Sequence, residues 1–205
     1  MLLAIDTSAG SSVAVVDREG GILAEVNESD TRRHAEVIGI LIQQALRDSG
    51  TDVTALSGVA VGMGPGPFTG LRVGIAAARA FALGIGRPVV PVVSHDAVAF
   101  GLTRPTLVVT DARRREVYWS AYRGTDAEGL PIRASGPGLI PPADLATVVP
   151  DFTEFERVDA EQVSAGSLGM GAELLYFYRR PFASSEALYL RSPDVTMSSG
   201  PKRVS

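Results

Sequence analysis

The sequence predicts an α/β protein built from two related lobes, the second reduced relative to the first. Short apolar runs typical of strands alternate with longer segments of helical periodicity, a pattern that indicates mixed sheets flanked by helices. Over about the first 102 residues the elements follow the order β-β-β-α-β-α-β-α. A similar pattern starts again near Arg104. We therefore predict an N-terminal lobe at residues 1–103 and a reduced C-terminal lobe with a tail at residues 104–205.

The first lobe opens with three strand-like runs that are separated by turn residues. They cover residues 2–6, 12–17 and 22–28, and their short connections predict an antiparallel meander. A helix is expected at residues 33–49, ended by Gly50. Its apolar stripe consists of Ile38, Leu41, Ile42, Ala45 and Leu46. This spacing places one face of the helix against the sheet.

The remaining elements follow from the same patterns. In the first lobe we expect a strand at 57–62, a helix at 69–85, a strand at 88–93 and a short helix from Ser94. In the second lobe we expect a strand at 106–110, its hairpin partner at 116–122, an irregular Gly/Pro-rich stretch to 142 and a helix at 164–178. The last residues, 198–205, are expected to be disordered because they are polar and terminal.

Composition narrows the class of protein. The chain has 205 residues, of which 45% are hydrophobic and 20% charged, as in ordinary globular proteins. It contains no cysteine, which excludes disulfides, thiolate nucleophiles and cysteine-bound metals. The net charge of −4 argues against a surface that binds nucleic acid throughout. The N-terminus resembles a strand rather than a secretion signal, and no uninterrupted apolar run reaches membrane-spanning length. We expect a cytoplasmic protein without a membrane partner.

A glycine–proline loop, Gly64 to Arg72, is the most distinctive motif. Glycines ahead of a helix can bind phosphate, because backbone N–H groups are free at the positive end of the helix dipole. Here the spacing fits neither GxxxxGK[ST] nor GxGxxG, and two prolines remove two N–H donors. We therefore favour a rigid strand-to-helix connection, while the phosphate-binding alternative stays open.

The helix after this loop has a ridge of small residues at every fourth position. The ridge consists of Gly70, Gly74, Ala78 and Ala82. Such a ridge lets another element approach closely. The other positions are mostly apolar, which indicates burial on more than one side. The sequence alone leaves open whether the second apolar side is covered by this chain or by a partner.

Several motifs together resemble one known family. Residues 4–8, AIDTS, followed by the strand at 12–16, resemble the phosphate-binding turn of the actin, Hsp70 and sugar-kinase (ASKHA) superfamily. The further motifs are Arg33-His34-Ala35-Glu36, the Gly64–Arg72 loop, Asp111-Ala112-Arg113-Arg114, Glu116-Val117-Tyr118-Trp119 and Tyr189-Leu190-Arg191-Ser192-Pro193. In this order they resemble the TsaB (YeaZ-like) family, whose members are subunits in bacterial tRNA threonylcarbamoyladenosine biosynthesis. The resemblance spans nearly the whole chain and implies two lobes of the actin-like ATPase type.

The resemblance implies a subunit that is not itself catalytic. Members pair with a larger paralogue, TsaD, which transfers the threonylcarbamoyl group to adenosine 37 of tRNAs that read codons beginning with A. The ATPase TsaE joins them. The implied partners are a TsaD-like paralogue, a TsaE-like ATPase and, through the complex, tRNA; a homodimer of the isolated chain stays open. Members of the family associate through the two helices that we expect here at residues 33–49 and 69–85. The interface residues that the resemblance implies are therefore His34, Ile38, Leu41, Gly70, Gly74, Ala78 and Ala82.

The paralogue's metal site cannot be built from this sequence. That site uses a His-x-x-x-His pair, whereas the two histidines here, His34 and His95, lie far apart. Ala99 stands four positions after His95. One imidazole with scattered carboxylates makes a poor metal site. We expect no metal, no cofactor, and neither protease nor metal-dependent transferase activity of the chain alone.

Two turns of the chain bear on whether it can bind a nucleotide. In the superfamily's enzymes the first-strand aspartate, which Asp6 matches, orients a metal-bound water, and a glycine-bearing turn in the second lobe covers the phosphates. Here Arg113, Arg114 and Arg115 occupy that second turn, with Arg115 in place of the glycine common in the family. We expect arginines to disfavour a positive φ and to block the approach of a phosphate. Weak nucleotide affinity stays open, without catalysis, at Asp6, Thr7 and Ser8.

The arginine turn itself has two interpretations. A solvated basic turn is favoured, and contact with tRNA phosphate is the alternative. For the whole chain we expect a scaffold and activating subunit. Two other hypotheses stay open: a self-sufficient small-molecule kinase or ATPase of the same superfamily, which needs Asp6 to be catalytic, and a homodimeric structural protein that uses the same helices on itself.

Overall fold

The first five strands form one mixed sheet. A computed structural model describes residues 1–191, so the predicted disorder at 198–205 lies outside the described residues. The strands are β1 (Leu2–Asp6), β2 (Ser11–Asp17), β3 (Gly21–Glu28), β4 (Gly58–Gly62) and β5 (Val89–Val92). Their order is β3-β2-β1-β4-β5; β1 to β3 pair antiparallel, and β4 and β5 join in parallel. The predicted antiparallel meander is confirmed.

The second sheet repeats this arrangement with one strand fewer. Its strands are β6 (Pro105–Asp111), β7 (Val117–Thr125), β8 (Pro131–Ile140) and β9 (Glu156–Asp159). They lie in the order β8-β7-β6-β9, and β6 pairs with β9 in parallel while the other pairs are antiparallel. Strand by strand, this order matches β3-β2-β1-β4. The predicted α/β fold with two related mixed sheets, the second reduced, is confirmed.

The part of the chain described by the structure has five α-helices that flank the sheets. They are α1 (His34–Ser49), α2 (Phe68–Ile85), α3 (Ser94–Ala99), α4 (Leu145–Val148) and α5 (Ala165–Phe177). Successive side chains of a strand point to opposite faces of a sheet. On one face of the first sheet, Leu3 and Ile5 pack among residues of α1 and α2. On the other face, Leu2 and Ala4 pack among residues of α3 and α5.

Helix α5 comes from the second half of the sequence but packs on the first sheet. Its residues Ala165, Leu168 and Ala172 are buried in the same cluster as β1 and β2. The Ser164 hydroxyl begins the helix by accepting a hydrogen bond from the backbone N–H of Ser167. The boundary between the lobes at residues 103 and 104 stays a prediction. The strands of the two sheets separate there, but α5, which follows the boundary in the sequence, packs on the first sheet.

Two strands of the second sheet were not expected from the sequence. The stretch to residue 142, predicted to be irregular, contains β8, and the short β9 was not foreseen. Strand β8 lies at the edge of the sheet, where proline is tolerated. A side chain at Gly138 would collide with the indole of Trp119, so glycine lets the ring lie against the strand. The glycine and proline residues of β8 therefore do not mark a loop; they belong to a strand that packs closely against its neighbour.

Helix α2 is mostly apolar, with Arg72 and Arg79 as its charged residues. Its 18 residues are long and apolar enough to cross a membrane by length and composition alone, a criterion that core helices of globular proteins also meet. In this fold Leu71, Ile75, Ala78 and Ala82 are buried in the first lobe's core. The expectation of no membrane partner stays a prediction.

The small-residue ridge of α2 gives a test of stability. A methyl group at Gly74 would collide with the Thr7 hydroxyl oxygen. We therefore expect Gly74→Ala to lower the free energy of unfolding by about 2 kcal/mol, as overpacking does. In α1, Gly39 is exposed and has open space around it, so Gly39→Ala should raise the free energy by about 0.5 kcal/mol. Urea denaturation measures both, and equal effects of the two substitutions would contradict the packing argument.

Candidate functional site

The turn after β1 is held closed by its own hydrogen bonds. Asp6 Oδ1 accepts from the backbone N–H and the hydroxyl of Ser8, at 2.8 and 2.6 Å. The Thr7 hydroxyl donates to the carbonyl oxygen of Gly70 at 2.7 Å and accepts from the backbone N–H of Gly74 at 3.1 Å. All three side chains of the turn are buried. The polar groups predicted to contact a nucleotide therefore bind the chain itself, although nucleotide affinity remains untested.

The Asp6 carboxyl group is buried beneath the turn. Within residues 1–191, its Oδ2 atom has no hydrogen-bond partner. Burial raises the pKa of the Asp6 carboxyl, and the hydroxyl groups of Ser8 and Ser94 and the backbone N–H of Ser8 offset this only in part. Its carboxyl faces Gly62, where a side chain would collide with Oδ2.

The arginine turn between β6 and β7 adopts a conformation that we did not expect. Arg113, Arg114 and Arg115 have φ angles of 62°, 54° and 63°. Left-handed backbone costs on the order of 1 kcal/mol for each non-glycine residue. The turn therefore adopts the positive φ that we expected arginine residues to avoid. Arg113 Nη2 donates to the Thr31 hydroxyl at 2.7 Å. The turn is thereby tied to the first lobe.

The cleft between this turn and the turn after β1 is small. It has a volume of about 230 Å³ and is lined by residues that include Ser8, Thr31, Asp111, Arg113 and Glu161. Ligand pockets usually measure about 300–1,000 Å³. Two of the lining side chains are carboxylates, which repel phosphate. Size and charge both disfavour a nucleoside triphosphate in this cleft.

His95 lies where the metal motif of the paralogue would begin, and here it joins the two lobes. Its Nδ1 is 2.8 Å from the Ser120 hydroxyl oxygen and its Nε2 is 2.9 Å from that of Thr110. Burial, with the nearby positive charge of Arg133, lowers the pKa of His95 to about 3. Both ring nitrogens are therefore engaged by hydroxyl groups of the second sheet. Across residues 1–191, no three side chains of His, Asp or Glu come together as a metal site.

The structure buries all seven residues assigned to the partner interface. They are His34, Ile38, Leu41, Gly70, Gly74, Ala78 and Ala82. The imidazole of His34 is hydrogen-bonded to the Ser11 hydroxyl at 2.7 Å, and a side chain at Gly70 would lie 2.5 Å from the carbonyl oxygen of Thr7. The ridge thus packs against its own chain. The assignment of these residues to a partner interface stays a prediction. The apolar periodicity located the buried faces of both helices.

The opposite faces of α1 and α2 form an exposed surface that the sequence analysis did not single out. The two helices cover the same side of the first sheet, so their outer faces point away from it together. Ile40 is 60% exposed and Leu83 is 83% exposed. We call this the outer α1/α2 face; its exposed residues include Ile40, Gln43, Ala76, Ala80 and Leu83. The available sequence signal was a large aliphatic residue off the apolar stripe of each helix, Ile40 on α1 and Leu83 on α2.

The segment after α5 runs back across both lobes. Its backbone N–H at Leu188 donates to the carbonyl oxygen of Met63 at 2.8 Å, and Arg79 Nη2 donates to that of Ser185 at 2.7 Å. Arg191 donates to the carbonyl oxygen of Ala112 and forms an ion pair with Glu116. The described residues 189–191 of the family motif at 189–193 therefore dock on the chain itself.

Two mixed sheets of matching strand order, with a cleft between their turns, define a two-lobed protein of the actin-like ATPase type. The solved structure "YeaZ from Pseudomonas aeruginosa" superimposes with a TM-score of 0.76 at 26% identity, over 92% of this chain and 99% of that chain. The family model "TsaD: tRNA N6-adenosine threonylcarbamoyltransferase" matches residues 5–151. The chain belongs to this family and is a TsaB/YeaZ-like member of it.

Sequence relatives agree with this assignment. The "tRNA threonylcarbamoyladenosine biosynthesis protein TsaB" of Escherichia coli K12 is 36% identical over 134 residues, which cover 63% of this chain and 57% of that protein. An uncharacterized protein of Mycobacterium tuberculosis H37Rv is 43% identical over 146 residues, or 70% of this chain and 66% of that protein. The chain therefore spans less than two thirds of the length of these curated relatives.

Proposed function

We propose that this chain is a non-catalytic scaffold and activating subunit for the formation of threonylcarbamoyladenosine at position 37 of tRNA. It would pair with a TsaD-type catalytic relative. The observation that carries the proposal is the closed turn after β1: Asp6, Thr7 and Ser8 bond to their own chain, and the adjacent cleft measures about 230 Å³. The name of the E. coli relative supports the same pathway.

The outer α1/α2 face is the surface that we assign to the catalytic partner. It presents Ile40 on α1 and Leu83 on α2, together with exposed small residues of α2 such as Ala76 and Ala80. Small residues let a second helix approach closely, and exposed aliphatic side chains gain free energy when a partner covers them. Binding there would leave the core of the first lobe intact. A homodimer through the same face is the state we expect in the absence of the partner.

The proposed complex has further components besides the catalytic partner. A TsaE-type ATPase is its third component, tRNA enters through the complex, and the complex is cytoplasmic. Peptidase, kinase and ATPase activity are not part of the proposed role. In that view the chain contributes binding surfaces, whereas the partner contributes the reacting groups.

Reconstitution tests the proposed function. The TsaD-type and TsaE-type proteins of the same organism, unmodified tRNA and a threonylcarbamoyl donor are incubated with and without this chain. We expect the chain to raise formation of the modified nucleoside by about tenfold or more, the size of a typical coupling between sites, and to give none alone. Mass spectrometry of digested tRNA is the measurement. Equal modification without the chain, or modification by the chain alone, would contradict the proposal.

A further inference from the structure

A groove runs between α2 and the segment that docks on the chain after α5. Its volume is about 670 Å³, which is within the range of ligand pockets. Helix α2 contributes Arg72, Ala76 and Arg79 to one side, and the segment contributes residues 185–187 and Tyr189 to the other. We call this the α2 groove. It is more spacious than the cleft between the two turns, which measures about 230 Å³.

The α2 groove continues the outer α1/α2 face. Ala76 belongs to both, and Arg72, Ala76, Arg79 and Leu83 follow one another along α2 at spacings of four, three and four residues. Residues at these spacings lie on one side of a helix. All four residues are exposed. A partner helix that packs along α2 over Leu83 therefore reaches the groove as well.

Two positive charges line the α2 side of the groove. Arg79 Nη2 donates to the carbonyl oxygen of Ser185 at 2.7 Å, and the guanidinium of Arg72 lies 3.8 Å from the centre of the Phe68 ring. Both contacts orient a guanidinium group without neutralising it, because a carbonyl group and an aromatic ring carry no net charge. Within residues 1–191, neither arginine forms an ion pair with a carboxylate.

The groove therefore keeps an excess of positive charge. One carboxylate, that of Glu186, stands against the two arginines, in a chain whose net charge is −4. Apolar side chains, Ile75 and Ala187, also line the groove. A small anion gains nothing from apolar surface, whereas an amphipathic helix buries it. Charge and apolar lining together favour an acidic segment of a protein.

We propose that the α2 groove binds an acidic helix of the TsaD-type partner. Arg79 follows Arg72 by seven positions, a distance of about 10 Å along a helix. The matching helix carries carboxylates two turns apart, one for each arginine, and Ala76 between them lets the two backbones approach closely. This inference rests on the proposed function, because it states the chemistry of the surface that the catalytic partner brings to the outer α1/α2 face.

The test measures the affinity of the full chain for the purified TsaD-type protein by isothermal titration calorimetry at two salt concentrations. At an ionic strength of about 0.05 M, the double variant Arg72→Gln/Arg79→Gln should bind about tenfold more weakly, because two partly exposed ion pairs are lost. At about 1 M salt the wild type and the variant should differ by less than about twofold, since the charges are screened.

Two further variants separate charge from structure. Arg72→Lys/Arg79→Lys keeps both positive charges and should stay within about threefold of the wild-type affinity at low salt. Arg72→Gln alone leaves the bond from Arg79 to Ser185 in place and should still weaken binding about threefold. Circular dichroism checks that each variant is folded.

The matched control is Arg179→Gln, which removes the same charge from an exposed arginine at the end of α5. Helix α5 packs on the opposite face of the first sheet from α2. The control should leave partner affinity within about twofold, as most surface substitutions outside an interface do. An equal loss in this control and in the double glutamine variant would show unspecific attraction and overturn the inference.

Other results would overturn it too. They are unchanged affinity of the folded double glutamine variant at low salt, an equal loss at both salt concentrations, and an equal loss in the lysine variant. A change confined to self-association, measured by light scattering, would assign the groove to a second copy of this chain instead. If the wild type binds the partner and activates modification while the glutamine variants match it, only this inference fails. If the wild type does neither, the proposed function fails.

Discussion

Replacing Leu83 with glutamate is expected to weaken binding of the TsaD-type partner about 100-fold, the effect of a lost hot spot together with a charge buried in an apolar contact. Leu83 is 83% exposed on α2, the most exposed of the large apolar side chains in the described residues. Since it packs on little within the chain, Leu83→Glu should leave the fold unchanged. Isothermal titration calorimetry with the purified partner measures the affinity, and circular dichroism checks the fold.

A matched control makes this result specific. Ile132 on β8 is also apolar and exposed, at 44%, but belongs to the second sheet. Ile132→Glu introduces the same charge and should change partner affinity by less than about twofold, as most surface substitutions outside an interface do. A folded Leu83→Glu variant that binds as tightly as the wild type would exclude the outer α1/α2 face as the interface.

Replacing His95 with glutamine is expected to remove a pH-dependent contribution to stability. The wild-type imidazole is buried and neutral, with a pKa of about 3 in the folded chain against 6.5 for an ordinary histidine. Because the folded pKa is lowered, the unfolded chain binds more protons as the pH falls below 6.5. The contribution of His95 is therefore complete above pH 6.5 and is lost progressively between pH 6.5 and about 3.

The comparison with His95→Gln isolates this effect from buried carboxyl groups such as Asp6. Glutamine can still bond a hydroxyl group but carries no charge at any pH. Near pH 7.5 the variant should be less stable by about 2 kcal/mol, since one buried hydrogen bond and some packing are lost. The difference should shrink by about 1.4 kcal/mol for each pH unit below 6.5. Urea denaturation from pH 5 to 7.5 measures it, and a difference that stays constant would mean that the imidazole is not held neutral.

Much of the first lobe could be predicted because local patterns decide it. The three opening strands, both long helices and the glycine that ends α1 follow from periodicity and turn residues alone. The stripe that includes Ile38 and Leu41 was correctly identified as apolar, and it is buried. Periodicity cannot identify which element of the fold packs on the buried face of a helix. The small residues of α2 accommodate the Thr7 side chain and backbone, a contact between positions distant in the sequence.

The second lobe was harder to predict because its elements depend on tertiary contacts. Strand β8 contains Gly136, Pro137 and Gly138, residues that disfavour strands unless a neighbour requires them. Trp119 is that neighbour. The four residues of β9 are too few for an alternating pattern, and their partner β6 lies far away in the sequence.

The candidate site was predictable in its residue types but only partly in its geometry. The sequence pointed to Asp6, the arginine turn and the segment at Tyr189. The sequence could not show that Asp6 faces Gly62, because the two residues lie on β1 and β4, which are far apart in the sequence. It also could not show that Arg113 reaches Thr31, and this bond between lobes accompanies the left-handed turn that we judged unfavourable.

The packing of α5 on the first sheet has a consequence for folding during translation. The face of that sheet formed by Leu2, Ala4 and Ala14 is covered by residues of α5, which are translated last among the helices described here. A nascent chain that ends near residue 103 would expose this apolar face. The first lobe is thus completed only after α5 has been synthesised, and until then its sheet is a natural target for chaperones that bind apolar surface.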